Sequence, residues 1–183
     1  MAIIRGHIAA SIDGFIADRE GAIDWLKPFE HLDFRYGDFI AGVSVAVMGR
    51  RTYEQIIGFG GAWPYHRQTT LVVTGRALRS PPPNVEAWHA GIPALAGHLR
   101  ALRGGDVWIV GGAMLQTELI DLGALDRLEI YIMPVLLGRG LPLFRRLISP
   151  RAAKLRMAET LAGGIVRLDY RLGASGGRSE EFP

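Results

Sequence analysis

The stretch VWIVGGAMLQTEL, residues 107–119, carries an apolar, β-branched run through two glycines and straight into a helix-like pattern. A short apolar run bounded by glycine reads as a buried strand, and the polar and apolar residues after it suit a helix. Paired glycines at that junction admit two readings. One is a tight turn, which glycine permits by conformation alone. The other is a ligand lying against bare backbone at a helix start, where unpaired N–H groups and the positive end of the dipole favour a phosphate.

Two further stretches repeat the pattern. In VMGRRTYE, residues 47–54, a strand gives way to Gly49 and then to Arg50, Arg51 and Thr52 in a first helical turn. Cations are unfavourable at that end of a helix, and a bound anion reverses the penalty. In LVVTGRAL, residues 71–78, a strand ends at Thr74 and is followed by Gly75 and Arg76. Ligands of open α/β sheets bind outside the carboxyl ends of the strands. Three such ends suggest a ligand with several phosphates. The arginines suggest an additional phosphate monoester such as the 2′-phosphate of NADP, which a guanidinium holds through two parallel hydrogen bonds.

The remaining pattern gives the fold class. Strand-like runs at 3–10, 43–48, 70–74, 107–110 and 128–133 alternate with helix-like segments at 28–41, 50–57, 92–103 and 114–122. Several of the runs do not alternate in polarity, as expected of strands covered on both faces. Near the end, Val166, Leu168, Tyr170 and Leu172 alternate with Arg167, Asp169 and Arg171, after a possible strand at 154–161 and a turn at Gly163-Gly164. The expectation is an α/β protein of three layers, with a mostly parallel central sheet and an antiparallel C-terminal hairpin. A single domain over 1–173 suits the length, with a disordered tail at 174–183. The triplet Pro81-Pro82-Pro83 marks a rigid connection rather than a domain boundary.

Composition excludes several functions. The 183 residues contain no cysteine, so disulfides and thiolate chemistry are absent, and the net charge is only +3 with arginines scattered rather than in a run. Nucleic acid is therefore not an expected partner. No stretch has the length of a membrane span and the start does not resemble a signal peptide, which points to a cytoplasmic protein. The five histidines, His7, His31, His66, His89 and His98, have no metal-ligand spacing and default to surface or hydrogen-bonded roles. No metal is expected. Ser11 lies outside any G-x-S-x-G elbow, and neither G-x-G-x-x-G nor a P-loop occurs.

Taken in order, IAASIDGFIAD, VMGRRTYE, VVTGRA, VWIVGGAML and LEIYIMPVLLGRGLPLF resemble the dihydrofolate reductase-like fold over about the first four-fifths of the chain. SIDGFIAD, AWP at 62–64 and PVLLGRGLPLF look more like the riboflavin-biosynthesis pyrimidine reductase branch, the C-terminal domain of bifunctional deaminase-reductases, and its stand-alone bacterial relatives. The resemblance implies a mostly parallel sheet and an NADPH cofactor. Ala9 and Ile16 match the backbone positions that hold the nicotinamide carboxamide. Gly49, Arg50, Arg51 and Thr52 match the helix start that receives phosphate, and Thr74 with Arg76 match the strand end that reaches the 2′-phosphate. Val110 matches the floor of the reaction pocket, and Gly111, Gly112, Ala113, Met114 and Leu115 match the second pyrophosphate-binding helix start. Met114 replaces a basic residue found in some dihydrofolate reductases, which leaves only its backbone for the contact.

Asp33 falls at the distance before Gly49 where dihydrofolate reductase holds its substrate with a carboxylate, while Glu30 and Asp38 are neighbouring members of the same charged segment. Asp13 is a second acid, read chiefly as a turn residue before Gly14. Trp25 resembles a residue of the loop that closes over the nicotinamide, and equally suits a core anchor. The resulting expectation is an oxidoreductase that passes a hydride from NADPH to a C=N or C=O of a small heterocyclic or sugar-linked substrate, pyrimidine- or pterin-like. Dihydrofolate reductase and 5-amino-6-(5-phosphoribosylamino)uracil reductase are the models. The alternative is a noncatalytic nucleotide or ligand-binding protein on the same fold. The branch commonly forms dimers through the sheet edge, which makes a homodimer the expected assembly.

Overall fold

In the computed structural model, which describes residues 2–173, the chain forms one eight-stranded sheet and a small two-stranded ribbon. The elements run β1 (Ile4–Ser11), β2 (Phe15–Ala17), a 3₁₀ turn (Asp24–Phe29), α1 (Tyr36–Ala41), β3 (Val43–Gly49), α2 (Arg50–Gly58), β4 (Thr69–Val73), β5 (Val85–Trp88) and α3 (Gly91–Ala101). They continue with β6 (Asp106–Gly111), α4 (Ala113–Asp121), β7 (Arg127–Met133), β8 (Leu141–Pro142), β9 (Ala153–Thr160) and β10 (Val166–Leu172). The large sheet has the order β5-β4-β3-β6-β1-β7-β10-β9. All neighbours up to β7 pair in parallel, and β10 is antiparallel to both β7 and β9. The mostly parallel sheet with its antiparallel C-terminal hairpin is therefore as the sequence pattern implies. The tail expected at 174–183 lies outside the described residues.

Three features depart from the sequence reading. The segment 28–41 is not one helix. Asp33 accepts the Arg35 N–H through Oδ1 at 2.7 Å, and Arg35 takes a left-handed conformation (φ 53°), so α1 starts only at Tyr36. A short polar side chain has competed with the helix for a backbone donor. The run VEAW after the proline triplet is a strand, β5, held at the sheet edge against β4. The two-stranded ribbon, β2 with β8, joins segments too short to show a period.

Side chains of β1 alternate between two environments. Ile4, Ile8 and Ala10 enter the main core with Val47, Ile109, Leu119 and Leu128. The opposite face, carrying Arg5, His7 and Ala9, lies beside Glu129 and Tyr131 of β7 and then Arg167 and Asp169 of β10. There Glu129, only 1 % exposed, is bonded by Arg5 and by Arg167 at 2.6 Å, while Arg127 pairs with Asp169 at 2.7 Å and Arg5 with Asp106 at 2.8 Å. Burial pushes the Glu129 carboxyl up, and the two guanidinium bonds outweigh it and hold it below the usual carboxylate range.

Candidate active site

The strands β3 and β6 are neighbours, so the helices that follow them start side by side at the same edge of the sheet. A Cβ placed on Gly49 would come within 3.9 Å of the Gly112 nitrogen, and Cβ atoms on Gly111 and Gly112 would lie 3.8 and 3.7 Å from the Thr52 hydroxyl. Gly111 needs its glycine, with φ +144°. Gly49 and Gly112 are the N-caps of α2 and α4. Neither helix has a side-chain cap bond or an acidic residue in its first turn. Helix starts without caps or acids leave backbone donors for an anion, and the bare glycines form a cradle that side chains would fill. These residues fit a pyrophosphate. Ala113 is partly covered, Met114 is exposed and Leu115 is buried in the core, so in this turn Met114 and Leu115 can offer only backbone N–H groups.

One strand further out, Arg50 reaches from α2 to the end of β4. Its Nη1 donates to the Thr74 hydroxyl and to the Arg76 and Ala77 carbonyls, each at 3.3 Å, while its Nε pairs with Glu54 at 2.6 Å. The Arg76 N–H donates to Thr74 Oγ1 at 3.1 Å, and His89 places Nδ1 2.7 Å from the Thr74 carbonyl, which can only accept. Arg50, Thr74, Arg76 and His89 thus form one bonded group at the strand ends, with the Arg76 side chain exposed. Arg51 is exposed beside Gly21, in a loop that Gln55 anchors through the Gly21 carbonyl at 2.8 Å.

The polar face of β1 supplies a residue the sequence reading passed over. His7 stacks on Phe39 with ring centroids 3.9 Å apart, tilts against Tyr131 at 4.7 Å and meets the edge of Trp108 at 6.2 Å. Its Nδ1 is buried with no partner among the described residues, as are the indole nitrogens of Trp25 and Trp63. An unpaired buried polar atom is costly and marks a place for a ligand or a water. A cavity of about 220 Å³ opens beside Phe39 and Tyr131, lined further by Arg5, Arg35, Asp38, Glu129 and Arg167. The signal in the sequence was the polar pair Arg5 and His7 at a spacing of two within an apolar run.

Burial lowers the His7 pKa to about 4, so the ring is neutral at pH 7. The unfolded chain takes up this proton near pH 6.5, so the His7 contribution to stability is complete above pH 6.5 and is lost as pH falls toward 4. Replacing His7 by phenylalanine should remove up to about 3 kcal/mol of that dependence. Urea unfolding of both proteins at pH 5 and pH 7 checks this, and equal pH slopes would refute it.

The remaining expected residues are placed as follows. Ala9 packs against Tyr131 and Met133, and Val110 packs into the Trp108 cluster, one strand across from His7. Ile16 lies in the middle of β2. Asp33 precedes α1 rather than riding on it. It is exposed, with one carboxylate oxygen taken by the Arg35 N–H. Trp25 sits in the 3₁₀ turn and packs with the cluster of Tyr131, Met133 and Ile165, the anchor position of its two readings. Asp13 follows the carboxyl end of β1. Its carboxylate is bonded to Ser11 and to the backbone of Leu137 and Gly138.

The model of the RibD C-terminal domain matches residues 2–166. The chain belongs to that family. The uncharacterized protein YwjB of Bacillus subtilis (strain 168) is 35% identical over 165 residues, covering 90% of this chain and 94% of its own. YyaP of the same organism is 27% identical, with 89% and 91% covered. A candidate riboflavin biosynthesis protein from Shewanella sp. PV-4 superposes with a TM-score of 0.83 at 26% identity, over 94% of this chain and 99% of that one. The fold is also that of dihydrofolate reductase from Enterococcus faecalis, solved with NADP(H), at a TM-score of 0.64, 21% identity and 93% and 96% coverage. Among the described residues of this family member no helix is long and apolar enough to cross a membrane.

Proposed function

We propose that the protein is an NADPH-dependent reductase that delivers a hydride to a C=N or C=O of a flat pyrimidine- or pterin-like substrate. The observation that carries this reading is the pair of adjacent, uncapped glycine helix starts, Gly49 and Gly112, flanked by Arg50 and Arg76 at the next strand end. Family membership supports it, as does the fold shared with a deaminase/5-amino-6-(5-phosphoribosylamino)uracil reductase of Thermotoga maritima (TM-score 0.70, 16% identity, over 94% of this chain and 57% of that one).

When bound, NADPH supplies the hydride. Gly49 to Thr52 and Gly111 to Leu115 bind its pyrophosphate, Thr74 and Arg76 its 2′-phosphate, and the backbone of Ala9 and Ile16 its carboxamide. Val110 is assigned to the floor on which the substrate ring lies, and the neutral His7 packs one strand across from it with its buried Nδ1 unpaired among the described residues. Aromatic walls exclude water from the transfer. Asp33, exposed just before α1, is assigned to substrate contact.

Titration of the wild-type protein with NADPH and NADH should show NADPH binding at least about tenfold tighter, the worth of one charge-assisted phosphate pairing. Equal affinity for the two would refute the NADPH assignment. Loss of NADPH absorbance with a panel of pterin, pyrimidine and carbonyl compounds then separates a reductase from a module that binds the nucleotide without turnover. The exposed edge strand β9 suits a homodimer contact, which light scattering after size exclusion would detect.

A further inference from the structure

We infer that Asp13 is a positioning residue for this reduction, a latch that ties the β1–β2 turn to the loop at 135–140 and so fixes Ala9 and Ile16 about the nicotinamide. The inference rests on the NADPH reading above and adds a role for a carboxylate that touches neither cofactor nor substrate.

Three donors converge on the Asp13 carboxylate. Oδ1 accepts the Ser11 hydroxyl at 2.6 Å and the Leu137 N–H at 3.1 Å, and Oδ2 accepts the Gly138 N–H at 2.6 Å. An ionised carboxylate is acceptor-only, and such charge-assisted bonds are about twice as strong as neutral ones. The Ser11 hydroxyl, followed by the two backbone bonds, holds the carboxyl below its ordinary pKa, so the group is ionised and offers no proton to a substrate. Ser11 is fully buried and its oxygen in turn accepts the Phe15 N–H at 2.9 Å, so the latch is continuous from the end of β1 to the start of β2.

The loop is built to meet it. The Ile12 N–H donates to the Val135 carbonyl at 2.9 Å and the Leu143 N–H to the Gly14 carbonyl at 2.8 Å, on either side of the carboxylate. Gly140, at φ +158°, lies so close to Ala17 that a Cβ there would collide with the Ala17 carbonyl. Pairing of β2 with β8 completes the docking. Ala9 and Ile16 stand two residues before Ser11 and one after Phe15. Loosening the turn between them displaces both, and a shift of about 1 Å at a positioned group can cost up to 100-fold.

Asp13→Asn and Asp13→Ala test this with two ligands, NADPH and adenosine 2′,5′-bisphosphate, which lacks the nicotinamide half. Both variants should bind NADPH about tenfold or more weakly while their affinity for the bisphosphate is unchanged. Hydrogen exchange of the Leu137 and Gly138 amides should accelerate. A general loss of structure would weaken both ligands alike, and that result, or undiminished NADPH binding, would overturn the latch. A wild-type protein that binds neither ligand would instead overturn the cofactor reading, and the latch with it.

Discussion

Replacing Glu129 by alanine is expected to lower the unfolding free energy by about 3–5 kcal/mol, a large part of the roughly 5–15 kcal/mol that a domain possesses. The carboxylate is 1 % exposed and is the shared partner of Arg5 and Arg167, with Arg127 at 3.7 Å. Removing it leaves largely buried guanidinium groups facing one another, each with one remaining acid: Asp106 for Arg5, Glu159 for Arg167 and Asp169 for Arg127. The penalty is the desolvation of charge left without its partner rather than the worth of the ion pair itself. Glu129→Gln keeps the shape and one acceptor oxygen but points an amide at a guanidinium, so an intermediate loss is expected. Glu159→Ala, at the 26 % exposed rim of the same network, should cost under about 1 kcal/mol. Urea midpoints for the three variants would give the order Glu129→Ala, Glu129→Gln, Glu159→Ala. A Glu129→Ala loss no larger than that of Glu159→Ala would show that the network is not central to stability.

The same residue shows what a single sequence reveals and what it hides. Residues 128–133 are legible as a buried strand because Leu128, Ile130 and Ile132 are apolar, and the glycine ends of β3 and β6 are legible because a strand, a glycine and a helix start are consecutive in the chain. Once both strands are placed in one parallel sheet, their ends must share an edge. The partners of Glu129 are 124 and 38 residues away, and Asp13 is 124 residues from Leu137. No local period encodes those distances; only the register of β1 on β7 and β7 on β10 does. Local competition misled in the other direction at 28–41, where the apolar spacing suits a helix until the Asp33 side chain claims the Arg35 N–H. His7 was hidden for a third reason: a lone histidine in a strand has many uses, and only packing among Phe39, Tyr131 and Trp108 gives it one.

Arginine 76 should carry the choice between NADPH and NADH with little effect on the fold. Its side chain is exposed, and the bonds that organise its turn run through its backbone to Thr74 and Arg50. Arg76→Ala is therefore expected to leave stability within about 0.5 kcal/mol of the parent. A guanidinium–phosphate bond contributes about 1.5–3 kcal/mol, so NADPH affinity should fall by roughly 10- to 100-fold, with NADH affinity unchanged. Arg50 differs because it is already engaged, holding the Thr74 hydroxyl and the Arg76 and Ala77 carbonyls while paired with Glu54. Its loss should weaken NADPH by a comparable factor and also release the 74–77 turn, costing about 1 kcal/mol of stability. Because both arginines act on one turn, the double variant should lose less NADPH affinity than the two single effects combined. If Arg76→Ala weakened NADH as much as NADPH, Arg76 would be acting on the shared pyrophosphate or on the turn itself, and the 2′-phosphate assignment would fall while the glycine cradle at Gly49 and Gly112 stood.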